Sequence, residues 1–116
     1  MKIVEVSLAR LRAPLITPFR TALRQVDAVE DIVVSLRTDT GHCGHGSAAP
    51  TAVITGDTHG SIVAAIGQCI GPLLVGRDVA DLNGNVRRVQ SALEHNTGAK
   101  AAVEIALHDL WAQRHA

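Results

Sequence analysis

The sequence predicts an α+β domain in which a three-stranded antiparallel β-meander precedes a helical bundle. Three observations predict it. Lys2–Arg12 and Glu30–Thr38 alternate apolar and polar residues with the period of half-buried strands. Asp39-Thr40-Gly41 is a tight-turn signal, with a glycine able to take positive φ, and it leads into a returning strand over His42–Ser47. After Asp57 the period changes to that of amphipathic helices. Strands first and helices afterwards define the class.

In chain order, the first strand carries Val4, Val6 and Leu8 on one face, with Glu5 and Ser7 on the other. Pro14–Arg24 follows and predicts a loop, because Pro14 and Pro18 each remove a backbone donor and restrict the residue before them. The second strand turns Ile32, Val34 and Leu36 to one face, and all six apolar residues are expected to face the helices. A second loop, Ala48–Asp57, precedes a helix capped by Asp57 or Thr58. In this helix Ile62, Ile66 and Ile70 recur every fourth residue, until Gly71-Pro72 stops or bends it. Asp78 can cap a second helix bearing Leu82, Val86, Val89 and Leu93, interrupted by Gly84. Ala99–Arg114 is the third helix, with Val103, Leu107, Leu110 and Trp111 on one face and alanines around the rest. Those alanines predict close packing on more than one side, with an exposed apolar docking patch near Leu110 and Trp111.

At 116 residues, 47% hydrophobic and 19% charged, the chain suits one globular domain. A net charge of zero argues against nucleic acid or an anionic membrane as partner. No apolar run approaches the roughly 20 residues of a membrane span. The start, Met-Lys-Ile-Val-Glu-Val, places an acid where a signal peptide would be apolar, so a cytoplasmic protein is expected. Two cysteines, Cys43 and Cys69, are too few for a disulfide framework and leave one pair open.

Among the chemistry-bearing residues, Pro14–Arg24 stands out. It holds the sole Phe of the chain, Phe19, beside Arg20 and Arg24. An aromatic wall with a fixed cation suits a small anionic molecule, while the alternative packs Phe19 on the core and leaves the arginines solvated. His42-Cys43-Gly44-His45 offers zinc-type donors, but no second pair stands at a finger-like distance, and the two histidines would point to opposite strand faces. Cys43 and His42, as strand neighbours, diverge and make a poor nucleophile–base pair. His108 and Asp109 are helix neighbours that do not face one another, whereas Glu104 and His108 can pair across a turn. Gly41, Gly44 and Gly46 lack the following helix start that a phosphate loop needs.

These pieces together resemble the N-terminal capping domain of the enolase superfamily, in its muconate-lactonising subgroup, and most of all the dipeptide (L-Ala-D/L-Glu) epimerases. The resemblance rests on Met-Lys-Ile-Val at the start; on Pro14-Leu15, Thr17-Pro18-Phe19 and Thr21-Ala22-Leu23-Arg24; on Ala49-Pro50-Thr51 and Val53-Ile54-Thr55-Gly56-Asp57; and on Ala99-Lys100-Ala101-Ala102-Val103-Glu104 running into Ala106-Leu107-His108-Asp109 and Trp111-Ala112. It implies that residues 1–116 cap the mouth of a (β/α)₇β barrel of roughly 250 residues that this chain lacks. Pro14–Arg24 and Ala48–Asp57 would be two specificity loops. Arg24 would bind the substrate's side-chain carboxylate, Phe19 would wall the same pocket and Ile54 would face it from the second loop. Catalytic residues and Mg²⁺ ligands would belong to the barrel, so this chain would hold no metal and be inactive alone. In the whole enzyme a lysine on each face would exchange the α-proton while Mg²⁺ stabilises the enediolate.

The expected partners are the chain's own C-terminal barrel and a dipeptide or other small carboxylate, with a homo-oligomer left open. One departure is Ser47, where the subgroup often carries a glutamate after Gly-x-Gly; a carboxylate that could anchor the second loop is absent there. The rival readings are the cap of a muconate cycloisomerase or o-succinylbenzoate synthase, and a free-standing, non-catalytic binding module.

Overall fold

In the computed structural model, residues 1–20, 25–50 and 57–116 are described, with side chains outside 13–29. Strands β1 (Ile3–Arg20), β2 (Gln25–Thr38) and β3 (Cys43–Ala48) form an antiparallel sheet in the order β1-β2-β3. The β2–β3 hairpin turns as expected: Thr38 N–H donates to His42 O at 2.9 Å, and Gly41 takes φ +83°. Helices α1 (His59–Ala64), α2 (Gly71–Leu74), α3 (Leu82–Ser91) and α4 (Thr97–Arg114) follow, with a π-helical segment, Ala65–Ile70, joining α1 to α2.

One face of the sheet carries the core. Ile32, Val34 and Leu36 are buried there with Ile62, Ile66, Ile70 and Leu107, and Val6 and Leu8 pack against them. Val4 corrects the expected pattern. Ile3 pairs with Thr38 and Glu5 with Arg37, so Val4 is an extra residue in a β-bulge. The bulge resets the alternation: Ile3 is fully buried and Val4 is 41% exposed. Backbone bonds to the Gly76–Val79 segment fix this end of β1, including Ile3 N–H to Arg77 O at 2.9 Å.

Three boundaries also differ from expectation. Pro14 does not end the first strand. Pro14 pairs with Ala28 and Phe19 with Val26, so the ladder resumes after a register break in which Leu15–Pro18 oppose Asp27 alone. β1 is an edge strand, where missing N–H donors and irregular register are tolerated. Gly71-Pro72 does not end the first helix either. Gly71 N–H bonds Ile66 O, five residues back, and the helical run reaches Leu74. A repeat of four exceeds the ~3.6 residues of an α-turn. The wider π turn keeps Ile62, Ile66, Ile70 and Leu74 on one buried face. The second helix is capped by Asp81 rather than Asp78: Asp81 Oδ1 accepts from Gly84 N–H at 3.1 Å. A Cβ on Gly84 would collide with that carboxylate, which accounts for glycine inside a helix.

The docking patch expected near Leu110 and Trp111 is likewise corrected. Leu110 is fully buried, and Trp111 is half-buried with its ring 4.1 Å from that of His115. The reason is the closeness of α4 to β3. Gly44 and Gly46 lie on the inner face beneath the helix, and a Cβ on either would meet the carbonyl of Ala106 or Ala102. The large apolar residue that α4 exposes is Ile105 instead, at the rim of a shallow cleft shared with Leu11 and Val33 on the outer sheet face.

Candidate functional site

Arg24 and Ile54 lie outside the described residues, as does the side chain of Phe19, whose backbone pairs with Val26 near the end of β1. The structure describes the supports on which the two loops stand.

The first loop stands on the far end of the β1–β2 ribbon. Near the hairpin turn the ribbon is covered by helices. Beyond Leu8 it projects: Arg10, Leu11, Arg12 and Glu30 are all exposed, although Arg10 and Arg12 follow Val6 and Leu8 on the core-facing side. An exposed ion pair, Arg12 Nε to Glu30 Oε1 at 3.0 Å, spans the two strands. Such a pair is worth about 1 kcal/mol at most.

The second loop leaves from β3 and rejoins the fold at α1. β3 is an edge strand, and α4 covers its free side. His45 N–H donates to Asp109 Oδ2 at 3.0 Å, and Gln113 Nε2 donates to Cys43 O at 2.8 Å and to Asp109 Oδ1 at 3.2 Å. The His45 N–H first, and the Gln113 amide second, hold the Asp109 carboxyl below the ordinary carboxylate range. At the other end Thr58 and Ser61 form a reciprocal capping box: Ser61 N–H donates to Thr58 Oγ1 at 3.0 Å, and Thr58 N–H donates to Ser61 Oγ at 2.8 Å. The carboxylate of Asp57 sits against Gly98 in the first turn of α4. Sequence reasoning missed this contact. Asp57 was legible only as a local cap, and its partner lies across the fold.

The remaining polar clusters have structural partners. His42 Nδ1 bonds Thr40 Oγ1, and His45 Nδ1 bonds Ser35 Oγ, each at 2.8 Å. His108 Nδ1 donates to the backbone carbonyl of Glu104 at 2.7 Å, while the Glu104 carboxylate accepts from Gln90 of α3. The expected Glu104–His108 side-chain pairing is therefore replaced by a bond to the main chain. Among the described residues no group of three or more His, Cys, Asp or Glu side chains comes together to hold a metal. No helix among them is long and apolar enough to cross a membrane.

Comparison with known proteins agrees with this architecture. Residues 3–116 match the family described as mandelate racemase / muconate lactonizing enzyme, N-terminal domain. An L-Ala-D/L-Glu epimerase of Clostridium acetobutylicum is 44% identical over 115 residues, which is 99% of this chain and 32% of that protein. The structure of a substrate-liganded complex of the L-Ala-D/L-Glu epimerase from Bacillus subtilis superposes with a TM-score of 0.95 at 43% identity, over 99% of this chain and 32% of that one. A dipeptide epimerase from Methylococcus capsulatus, complexed with Mg and the dipeptide L-Arg-D-Lys, superposes at 0.89 with 34% identity over 99% and 32%. The chain spans about a third of the length of the relatives it matches.

Proposed function

Since the chain belongs to the mandelate racemase / muconate lactonizing enzyme N-terminal domain family, we propose that it is the capping domain of a dipeptide epimerase. The whole protein would move a proton at the carbon α to the carboxylate of a dipeptide whose second residue is acidic. The observation that carries this is the match to L-Ala-D/L-Glu epimerases, 44% identical across 99% of the chain. The cap's task is recognition. Arg24 would grip the side-chain carboxylate of the second residue, since a guanidinium fork binds a carboxylate through two charge-assisted hydrogen bonds. Phe19 and Ile54 would close the pocket from the two loops.

The described residues do not fit a metal site. In this proposal Mg²⁺ and the proton-transferring residues belong to a C-terminal barrel on which the cap rests. The enzyme would work in the cytoplasm.

The test is turnover by the full-length protein in D₂O. L-Ala-L-Glu should exchange the α-proton of its second residue for deuterium and epimerise there, faster than L-Ala-L-Leu. Exchange with neither dipeptide, but conversion of muconate or production of o-succinylbenzoate, would move the cap to the rival enzymes.

A further inference from the structure

We propose that Asp57 is a positioning residue for substrate selectivity. Its carboxylate, seated on Gly98 at the start of α4, fixes where the second specificity loop rejoins the helical layer. The inference rests on the reading of Ala48–Asp57 as a specificity loop.

The seat is shaped for the carboxylate. A Cβ on residue 98 would stand 2.9 Å from Asp57 Oδ2 and 3.5 Å from its Cγ, so a glycine leaves the space the acid fills. Nothing local to α4 supplies such a group. Its N-cap, Asn96, is left-handed at φ 52° and makes no capping bond; the Asn96 Nδ2 turns back to Glu94 O at 2.8 Å. The first turn holds no acidic residue, and Lys100, only 7% exposed, adds a positive charge near an end that the helix dipole already makes positive. A carboxylate is favoured at that position, and it comes from the last residue of the loop.

α4 is a firm anchor, because it lies directly on Gly44 and Gly46 and is bonded to the edge of β3. Thr58, the next residue, is fixed by its capping box. Asp57 therefore ties the loop's exit to a helix held close against β3.

The experiment uses the full-length protein with Asp57→Ala, Asp57→Asn, Gly98→Ala and the double variant Asp57→Ala/Gly98→Ala. Two quantities are read: kcat/KM for L-Ala-L-Glu relative to L-Ala-L-Leu, and amide hydrogen exchange of residues 51–56. Asp57→Ala and Gly98→Ala should each change the dipeptide ratio by about tenfold, mostly through KM. The double variant should change it no further, because the new Cβ then enters vacated space. Asp57→Asn keeps the shape without the charge and should fall between wild type and Asp57→Ala. Amides 51–56 should exchange faster in Asp57→Ala. An unchanged ratio with equal loss on both dipeptides, or simple additivity in the double variant, would overturn the proposal. If the wild type turns over neither dipeptide, the epimerase reading fails by itself. The exchange data then decide: faster exchange of 51–56 upholds the anchor, and unchanged exchange refutes it.

Discussion

The two ends of one β-ribbon live in different environments. Near the hairpin turn, β2 buries Val34 and Leu36 completely, with β3 and α4 packed beyond them. At the other end the same strands expose Arg10, Leu11, Arg12 and Glu30, and an exposed ion pair links them. Burial drives folding, and exposed charge pairs contribute little to it. Stability is therefore concentrated at the packed end, and the projecting end, where the proposed function puts recognition, is left open to variation. Substitutions should divide the same way.

The sharpest way to break this comparison is Gly46→Ala at the packed end. The added methyl meets the backbone carbonyl of Ala102, which no side-chain rotation relieves. A loss of about 3 kcal/mol or more is expected, measured by urea unfolding. A neutral result would mean that α4 is not held close to β3. Next comes Asp81→Ala, which removes the α3 cap and should lower stability by about 1 kcal/mol. Gly84→Ala should be tolerated better in that background than alone, since the carboxylate it would strike is gone. A smaller effect is expected of Asp109→Asn, visible as a change in pH dependence. Asp109 has a lowered folded-state pKa, so its contribution is complete above the unfolded carboxylate value of about 4 and is lost as pH falls through the folded value. Wild type should lose this increment in acid, and Asp109→Asn should show a flatter profile there. Smallest is Arg12→Ala at the projecting end, which should cost less than about 1 kcal/mol in the same unfolding assay.

Much of the packed end was legible in the sequence, because burial imposes period. Ile32, Val34 and Leu36 alternate cleanly, and all are buried. What period could not reveal were local devices that reset it. The single extra residue at Val4 flips the register of β1 without any signal in composition. The π turn before Pro72 absorbs a proline that ordinarily ends a helix. Asp78 fitted a cap by sequence; the structure gives Asp78 to the Ala80 N–H and Asp81 to α3. Leu110 looked available for docking because the depth of α4 depends on two glycines in a different strand. Long-range contacts such as Asp57 with Gly98 carry no local pattern at all. Phe19, Arg24 and Ile54 follow no periodic rule; they are proposed as site residues on the make-up of Pro14–Arg24 and on resemblance to a family.

The central claim, that this cap selects an acidic dipeptide through Arg24, is tested most directly by Arg24→Ala in the full-length enzyme, assayed on L-Ala-L-Glu and L-Ala-L-Leu side by side. A charge-assisted contact of roughly 1.5–3 kcal/mol corresponds to about 10- to 150-fold in kcat/KM. That loss should fall on L-Ala-L-Glu through KM, while L-Ala-L-Leu, which has no side-chain carboxylate, should be little changed. Taking the ratio of the two substrates on each protein cancels any general loss of active enzyme. Equal loss on both would make Arg24 structural, and no loss on either would show that the first loop does not reach the substrate.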